Sequence, residues 1–263
     1  MPESLHNHGD IGLYIATHDQ PVEFSEQEKL HQDILIPIQA GAALSSKKLC
    51  SVRDDSGENI SEKNESFCEL TVLYWIWKND KHAIKGLSHY RRRFMINEER
   101  IANALKLGDI IIPPSWYFRE SLGSEYSKYH KEKDIELLKE VVHTVSPEFD
   151  DSFSRTLRNN ELVPYNMLIA REEVLDDYCE WLFEILFELE GSLQLDQYDT
   201  YQRRVFGFLS ERLFTVYLEK QSLKRIVCPI TSPDQLTVLK RLKYQSGKIY
   251  NRAYFKWVKH ERS

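Results

Sequence analysis

The 263-residue chain reads as an α/β protein with a largely parallel sheet. Three observations predict this class. Apolar runs of strand length alternate with stretches of helical period along the chain. The first run, Ile11 to Thr17, breaks into the polar turn His18-Asp19-Gln20-Pro21, the usual opening of a nucleotide-binding sheet. The continuous run Ile110-Ile111-Ile112 is stopped by Pro113-Pro114, as expected of a strand buried on both faces. No internal repeat or low-complexity segment interrupts the pattern.

In order, residues 1–10 read as a disordered leader, which also accounts for His6 and His8 better than a metal pair does. Residues 22–33 are polar and read as a loop. Ile34 to Ile38 is a strand that Pro37 confines to an edge. Residues 54–64 form a long polar loop whose Asp, Asn and Ser side chains can bond a base or a ribose. Asn64 or Ser66 then caps a helix running to Asn79, with Leu70, Leu73, Tyr74 and Trp77 at its 3.6-residue period. Ala83 to Ser88 is the next strand, and Asn97 to Leu107 a helix ended by Gly108. Residues 115–133 have no clear period and read as an irregular segment over the active face. Helices follow over 134–146 and 149–157, a strand over 163–170, a long helix from Arg171 toward Glu190, and a helix over 205–220. Arg225 to Pro229 is a last strand. The expected organisation is one domain over 11–236 and a basic amphipathic segment over 237–263.

Composition excludes several functions. Net charge is −6, against a general nucleic-acid binder. The four cysteines, Cys50, Cys68, Cys179 and Cys228, form no C-x-x-C pair, and Cys68 and Cys179 sit in apolar helical patterns as buried thiols. A reducing, cytoplasmic setting fits them. The N-terminus carries no signal-peptide apolar core, and no stretch reaches the ~20 apolar residues of a membrane span.

The densest functional signal is Gly86-Leu87-Ser88-His89-Tyr90-Arg91-Arg92-Arg93-Phe94. Three consecutive guanidiniums at a strand end repel one another, so an anion or several carboxylates must compensate them. Arginine's planar fork suits a diphosphate, and ligands of open α/β sheets bind beyond the carboxyl ends of strands. The competing reading is a solvated or salt-bridged basic patch. Thr17 and His18, at the end of the first strand, are placed to touch a nucleotide, although His18 also serves as an ordinary turn residue.

These pieces together resemble a known family. YIATH (14–18), IPIQAGAAL (36–44), DDSGENISEKNESFCELTVLYWIWKN (54–79), GLSHYRRRF (86–94), PYNMLI (164–169), DYCEWLF (177–183) and DTYQRRVFGFLSERL (199–213) are similar, in order, to the domain of unknown function 4422 family of bacterial capsule and O-antigen clusters. The resemblance implies a GT-A-like, Rossmann-related fold and glycosyltransferase activity, galactofuranosyl transfer included. It implies a nucleotide-sugar donor, UDP-linked first of all, and a lipid-linked glycan acceptor at the inner face of the cytoplasmic membrane. The alternative is a non-catalytic nucleotide-sugar or glycan-binding module.

Under that reading the donor contacts are Thr17, His18, Asp55, Asn59, Asn64, His89, Tyr90, Arg91, Arg92 and Arg204. Acceptor or sugar contacts are Tyr165, Asn166, Tyr201 and Gln202. Inverting transfer needs a general base, and Asp199 is the first choice, followed by Asp196 and Glu211. Asp199 also reads as a plain helix cap. Many GT-A enzymes hold a metal with Asp-x-Asp at the strand end where this chain has Ser88-His89-Tyr90-Arg91. Arginines can neutralise the leaving diphosphate instead, so no cofactor is expected. Manganese or magnesium held by Asp54, Asp55 or His89 is the alternative.

Residues 237–263 carry eight basic side chains against one acid, Glu261. The net +7 leaves −13 on the rest of the chain. Aromatics interleave with these cations, which reads as a membrane-surface helix or as a helix packed on the protein's own acidic body.

Overall fold

The computed structural model describes residues 10–231 and 238–261, and side chains within 10–231 and 247–258. In chain order the strands are β1 (Ile11–Thr17), β2 (Leu35–Gln39), β3 (Val52–Arg53), β4 (Ile84–His89), β5 (Ile110–Ile112), β6 (Trp116–Tyr117), β7 (Glu161–Leu162), β8 (Leu168–Arg171) and β9 (Arg225–Val227). The α-helices are α1 (Glu26–Lys29), α2 (Asn64–Phe67), α3 (Leu70–Asn79), α4 (Glu98–Leu107), α5 (Leu122–Tyr129), α6 (Glu132–Val145), α7 (Asp150–Leu157), α8 (Glu172–Ser192), α9 (Val205–Lys220) and α10 (Val238–Glu261). The chain forms two compact units. The first comprises residues 1–113, 167–180 and 223–231, and the second comprises 114–166, 181–222 and 232–263.

The first unit holds a seven-stranded sheet in the order β3-β2-β1-β4-β8-β5-β9. β1 pairs parallel with β2 and β4, β2 with β3, and β5 with β9. Only β8 runs against its neighbours β4 and β5. The sheet is therefore mixed but mostly parallel, as the alternating pattern predicts. β1 is buried along its whole length, which is why its sequence is a continuous apolar run. Pro37 stands in β2 opposite Ile15 of β1, while β3 covers only Ile38 and Gln39 on the other side. The edge position that proline demands is thus met locally.

Lys85 lies inside β4 at 1% exposure, and its ammonium reaches Glu172 at the start of α8 at 2.8 Å. That pairing is what allows a lysine in so apolar a strand. α4 follows the sequence closely: Asn97 accepts from the Arg100 amide at its start, and Gly108 closes it.

Several expectations are corrected. The loop read over 22–33 contains α1, closed by a Ser25–Glu28 capping box. The helix expected from about Phe67 to Asn79 is broken at Cys68, whose φ of 53° separates α2 from α3, and Cys68 is only half-buried. Residues 115–133 are ordered into β6 and α5 rather than irregular. The strand expected over 163–170 is mostly a turn: Tyr165 and Asn166 take φ of 75° and 53°, and pairing begins only at Leu168. Asp10, placed in the leader, accepts a backbone bond from Ile84 at 2.9 Å. Residues 1–9 and the boundary expected at 236–237 lie outside the described residues.

In the second unit β6 and β7 form an antiparallel ribbon, and α7 and α9 pack closely. Phe149, Trp181 and Tyr217 stack there, with Phe149 and Trp181 centroids 4.5 Å apart.

Candidate functional site

The carboxyl ends of β1 and β4 lie side by side, with Ala16 opposite His89. β4 then reverses at once. The amides of His89 and Arg92 donate to each other's carbonyls at 2.9 and 3.0 Å, which puts Tyr90 and Arg91 at the tip of a tight turn. The Tyr90 amide donates to the Ala16 carbonyl at 3.0 Å, tying that turn to β1. The Tyr90 ring meets His18 edge-on at 5.6 Å and lies under the Arg91 guanidinium at 5.1 Å. Two histidines, a tyrosine and two arginines are therefore carried at the carboxyl ends of two neighbouring central strands.

The third arginine differs. Arg93 forms a two-pronged ion pair with Glu28 of α1, through Nε and through Nη2 at 2.9 Å, and Nη1 donates to the Tyr90 carbonyl at 2.7 Å. Burial pushes the Glu28 carboxyl up, but bonds from Arg93 and Ser25 outweigh it and hold the group below the usual carboxylate range. The repulsion expected in the triple arginine is thus relieved at Arg93 by the chain itself. Arg91 stays exposed and Arg92 half-exposed.

Thr17 is fully buried, and its hydroxyl donates to the Gln20 carbonyl, so it shapes the turn that carries His18. Asp54 is the most tightly held of the polar candidates. It is fully buried, and its carboxylate accepts from the Gly41 and Ala42 amides at 2.8 and 2.9 Å and from the Ser61 and Thr71 hydroxyls at 2.5 and 2.6 Å. Successive amides at a left-handed glycine make an anion-binding nest, and Gly41 has φ 61°. Here the chain fills the nest with its own carboxylate, leaving Asp54 no lone pair for a metal.

Asp55 grips Arg53 at 2.6 Å. Asn59 closes its own turn through the Gly57 carbonyl and the Ser61 amide. Asn64 donates to the Cys68 carbonyl and to Thr71. The structure gives these three internal partners around the Asp54 loop. Gln39, which the sequence does not single out, clamps the next loop through the Lys47 carbonyl and the Leu49 amide.

The remaining candidates belong to the second unit. Glu211 of α9 accepts from the Tyr165 amide at 2.6 Å and pairs with Arg212 at 3.3 Å. Arg212 also pairs with Glu125 and lies over the Tyr126 ring. Glu211 thereby pins the left-handed Tyr165-Asn166 turn. Asn166 is buried and donates to the Gly207 carbonyl at 3.2 Å. Asp199 is exposed and accepts from the Gln202 amide at 2.8 Å, a bond that closes the turn ahead of α9, whose own N-cap is Arg204. Asp196 is exposed in the preceding turn, and Arg204 lies over Phe208 at 5.5 Å.

Gln202 and Tyr201 converge on His130, a residue that nothing in the sequence marks. Gln202 Nε2 donates to the Tyr129 carbonyl at 2.7 Å, which turns its Oε1 toward His130 Nδ1 at 3.0 Å. Nδ1 therefore carries the proton in the neutral ring. Tyr201, 54% exposed, stacks on that imidazole at 5.8 Å with planes 11° apart. Burial lowers the His130 pKa from its ordinary value, with Arg212 adding to the effect.

A family model described as a domain of unknown function, DUF4422, matches residues 13–222. The chain belongs to the DUF4422 family. Among solved structures it is similar to the apo WbbM bifunctional glycosyltransferase, at 26% identity and a TM-score of 0.78, over 86% of this chain. The match takes in 46% of that protein, so this chain spans about half its length. No curated protein matches. The DUF4422 member described here therefore shares the mostly parallel α/β fold of a glycosyltransferase. Among its described residues no helix is long and apolar enough to cross a membrane.

Proposed function

We propose that the chain is a glycosyltransferase module that moves a sugar from a UDP-linked donor to a growing bacterial surface glycan on a lipid carrier. The observation that carries this reading is the turn at the end of β4. Arg91 and Arg92 stand at the carboxyl edge of a mostly parallel sheet, with His18 and His89 beside them, while Glu28 compensates Arg93. The family membership and the likeness to a glycosyltransferase support it.

In the proposed reaction the acceptor oxygen bonds to the anomeric carbon as the bond from that carbon to the diphosphate breaks. The configuration inverts. The acceptor proton passes to a carboxylate, for which Asp199 is our first assignment. The negative charge left on the diphosphate is stabilised by the guanidiniums without a metal. Galactofuranose is the first donor sugar to test.

A thermal-shift series with UDP, GDP, CMP and TDP, with and without manganese, tests the donor half. UDP at a hundredfold excess over Kd should raise Tm by roughly 5 °C or more, without manganese. Hydrolysis or transfer with UDP-galactofuranose and other UDP-sugars tests the chemistry. Stabilisation by UDP with no turnover of any UDP-sugar would leave the binding-module reading. No response to any nucleotide would end both.

A further inference from the structure

The C-terminal helix has three distinct sides, and the proposed transfer uses none of them. At 3.6 residues per turn, Lys248, Asn251, Phe255 and Val258 share one side and are the half-buried positions. That side is fastened to the strand β6 and the residue before it: Lys248 Nζ donates to the Ser115 carbonyl at 2.6 Å, and Asn251 Nδ2 to the Tyr117 carbonyl at 2.9 Å. The opposite side carries Ile249, Tyr250, Tyr254 and Trp257, which are 72%, 52%, 37% and 57% exposed. Tyr250 and Tyr254 stack at 5.8 Å, and Trp257 follows at 6.2 Å, so the aromatics form one continuous strip. Arg252 and Lys256 are exposed along its margin. Arg119, far away in sequence, joins them with its guanidinium 5.2 Å from the Tyr250 centroid and 6.0 Å from Tyr254. No acidic residue occurs between Gly247 and Val258.

We infer that this side of α10, together with Arg119, is a docking surface for an anionic phospholipid bilayer, on which the helix lies flat. Charge complementarity and side-chain type select that occupant. Tyrosine and tryptophan have an apolar body with a polar tip and settle at the headgroup level of a membrane. Cations flanking such a strip attract anionic lipid by about one factor of five in affinity each. A second copy of this chain would offer acidic surface, since residues 1–236 carry −13, but carboxylates do not satisfy Ile249 and Trp257. Lipid supplies negative charge and an apolar layer in the same place. The inward side is fastened to the protein through Lys248 and Asn251, which keeps the helix from inserting across the bilayer.

The test uses the full chain and no sugar nucleotide, so it is independent of the transferase reading. Vesicles of phosphatidylcholine alone, or with 30% phosphatidylglycerol (roughly a natural anionic fraction), are floated with the intact protein at low and high salt. The intact protein should float with the anionic vesicles and be released by salt. The triple variant Tyr250→Ser, Tyr254→Ser, Trp257→Ser should lose at least about tenfold in partition, with unchanged Tm because these side chains are exposed. Arg119→Ala with Arg252→Ala should lose about twenty-five-fold on anionic vesicles and little on neutral ones. Equal partition of all three proteins would overturn the inference. So would a lipid-free, concentration-dependent dimer abolished by the serine variant in a protein that ignores both vesicles.

Discussion

Arg91 and Arg93 stand two residues apart and have opposite environments. Arg93 is held by Glu28 and by the Tyr90 carbonyl, whereas Arg91 lies open over the Tyr90 ring. Removing Arg93 leaves a half-buried carboxylate without its cation, and breaking such a partly exposed pair costs on the order of 1–3 kcal/mol. Arg93→Ala should therefore lower the urea midpoint markedly. Arg91→Ala should change stability by less than about 0.5 kcal/mol, the usual range for an exposed position. Nucleotide affinity should respond in the reverse order, with Arg91→Ala weakening UDP binding most. Unaltered UDP binding in that variant would remove the diphosphate assignment. Acid adds a second measure. The folded Glu28 carboxyl titrates below its unfolded counterpart, so the stability it brings is complete above the unfolded carboxyl pKa and is lost as pH falls through the folded one. Arg93→Ala should flatten that part of the acid limb. His130 acts with the same sign near neutrality. Its folded pKa is lowered, so the unfolded chain takes up the proton first, and stability falls as pH drops below the ordinary imidazole pKa until the folded ring also protonates.

The elements with a strong period were legible in the sequence, and the short polar connections were not. β1, β4, β5 and α4 fall where apolar runs and a capping asparagine put them. The Ser25–Glu28 capping box is a readable signal too, but α1 has no apolar period beside it, since none of its four residues reaches the core. Apolar content alone misled at 163–170, where a Glu211 carboxylate remote in sequence stabilises two left-handed residues. No local rule announces such a partner. Asp54 was visible as a polar loop residue, but its burial depends on the distant Gly41 and Thr71. The turn ahead of α9 poses the sharpest question at this scale, because Asp199 reads from sequence as a base or as a helix cap, and in the structure its carboxylate closes the turn through the Gln202 amide. Asparagine keeps an oxygen for that bond and abolishes the basicity. Asp199→Asn should thus leave Tm in place and cut turnover by about two orders of magnitude, with donor binding intact. Asp199→Ala should add a stability loss of about 1 kcal/mol. Full turnover in the asparagine variant would move the base to Asp196 or Glu211. Of these Asp196 is the freer, since Glu211 is engaged by Tyr165 and Arg212.

At the scale of the molecule, the candidate residues divide by unit. The arginine turn, His18 and the Asp54 loop belong to the first, while Asp199, Glu211, Tyr201, Gln202 and Arg204 belong to the second. The donor and acceptor functions proposed from sequence thus map onto different compact parts of the chain, except for Arg204. The charge is segregated as well, with cations collected at β4's end and in the C-terminal segment of an otherwise acidic chain. That distribution bears on how the leaving diphosphate is neutralised. At the end of β4 the chain offers His89, Tyr90, Arg91 and Arg92 and no Asp-x-Asp. Asp54 spends its carboxylate on four donors, and Asp55 is paired with Arg53. Among the described residues no group of three or more His, Cys, Asp or Glu is arranged to hold a metal ion. Fixed guanidiniums acting in place of a metal make a specific demand. Turnover should survive millimolar EDTA (a concentration on the order of that used to strip magnesium sites) and gain little from added manganese. It should fall steeply with salt, because the stabilising cations are partly exposed and screened. Activity lost in EDTA and restored by manganese or magnesium would show that a metal carries the diphosphate charge, with the arginines left to position the nucleotide.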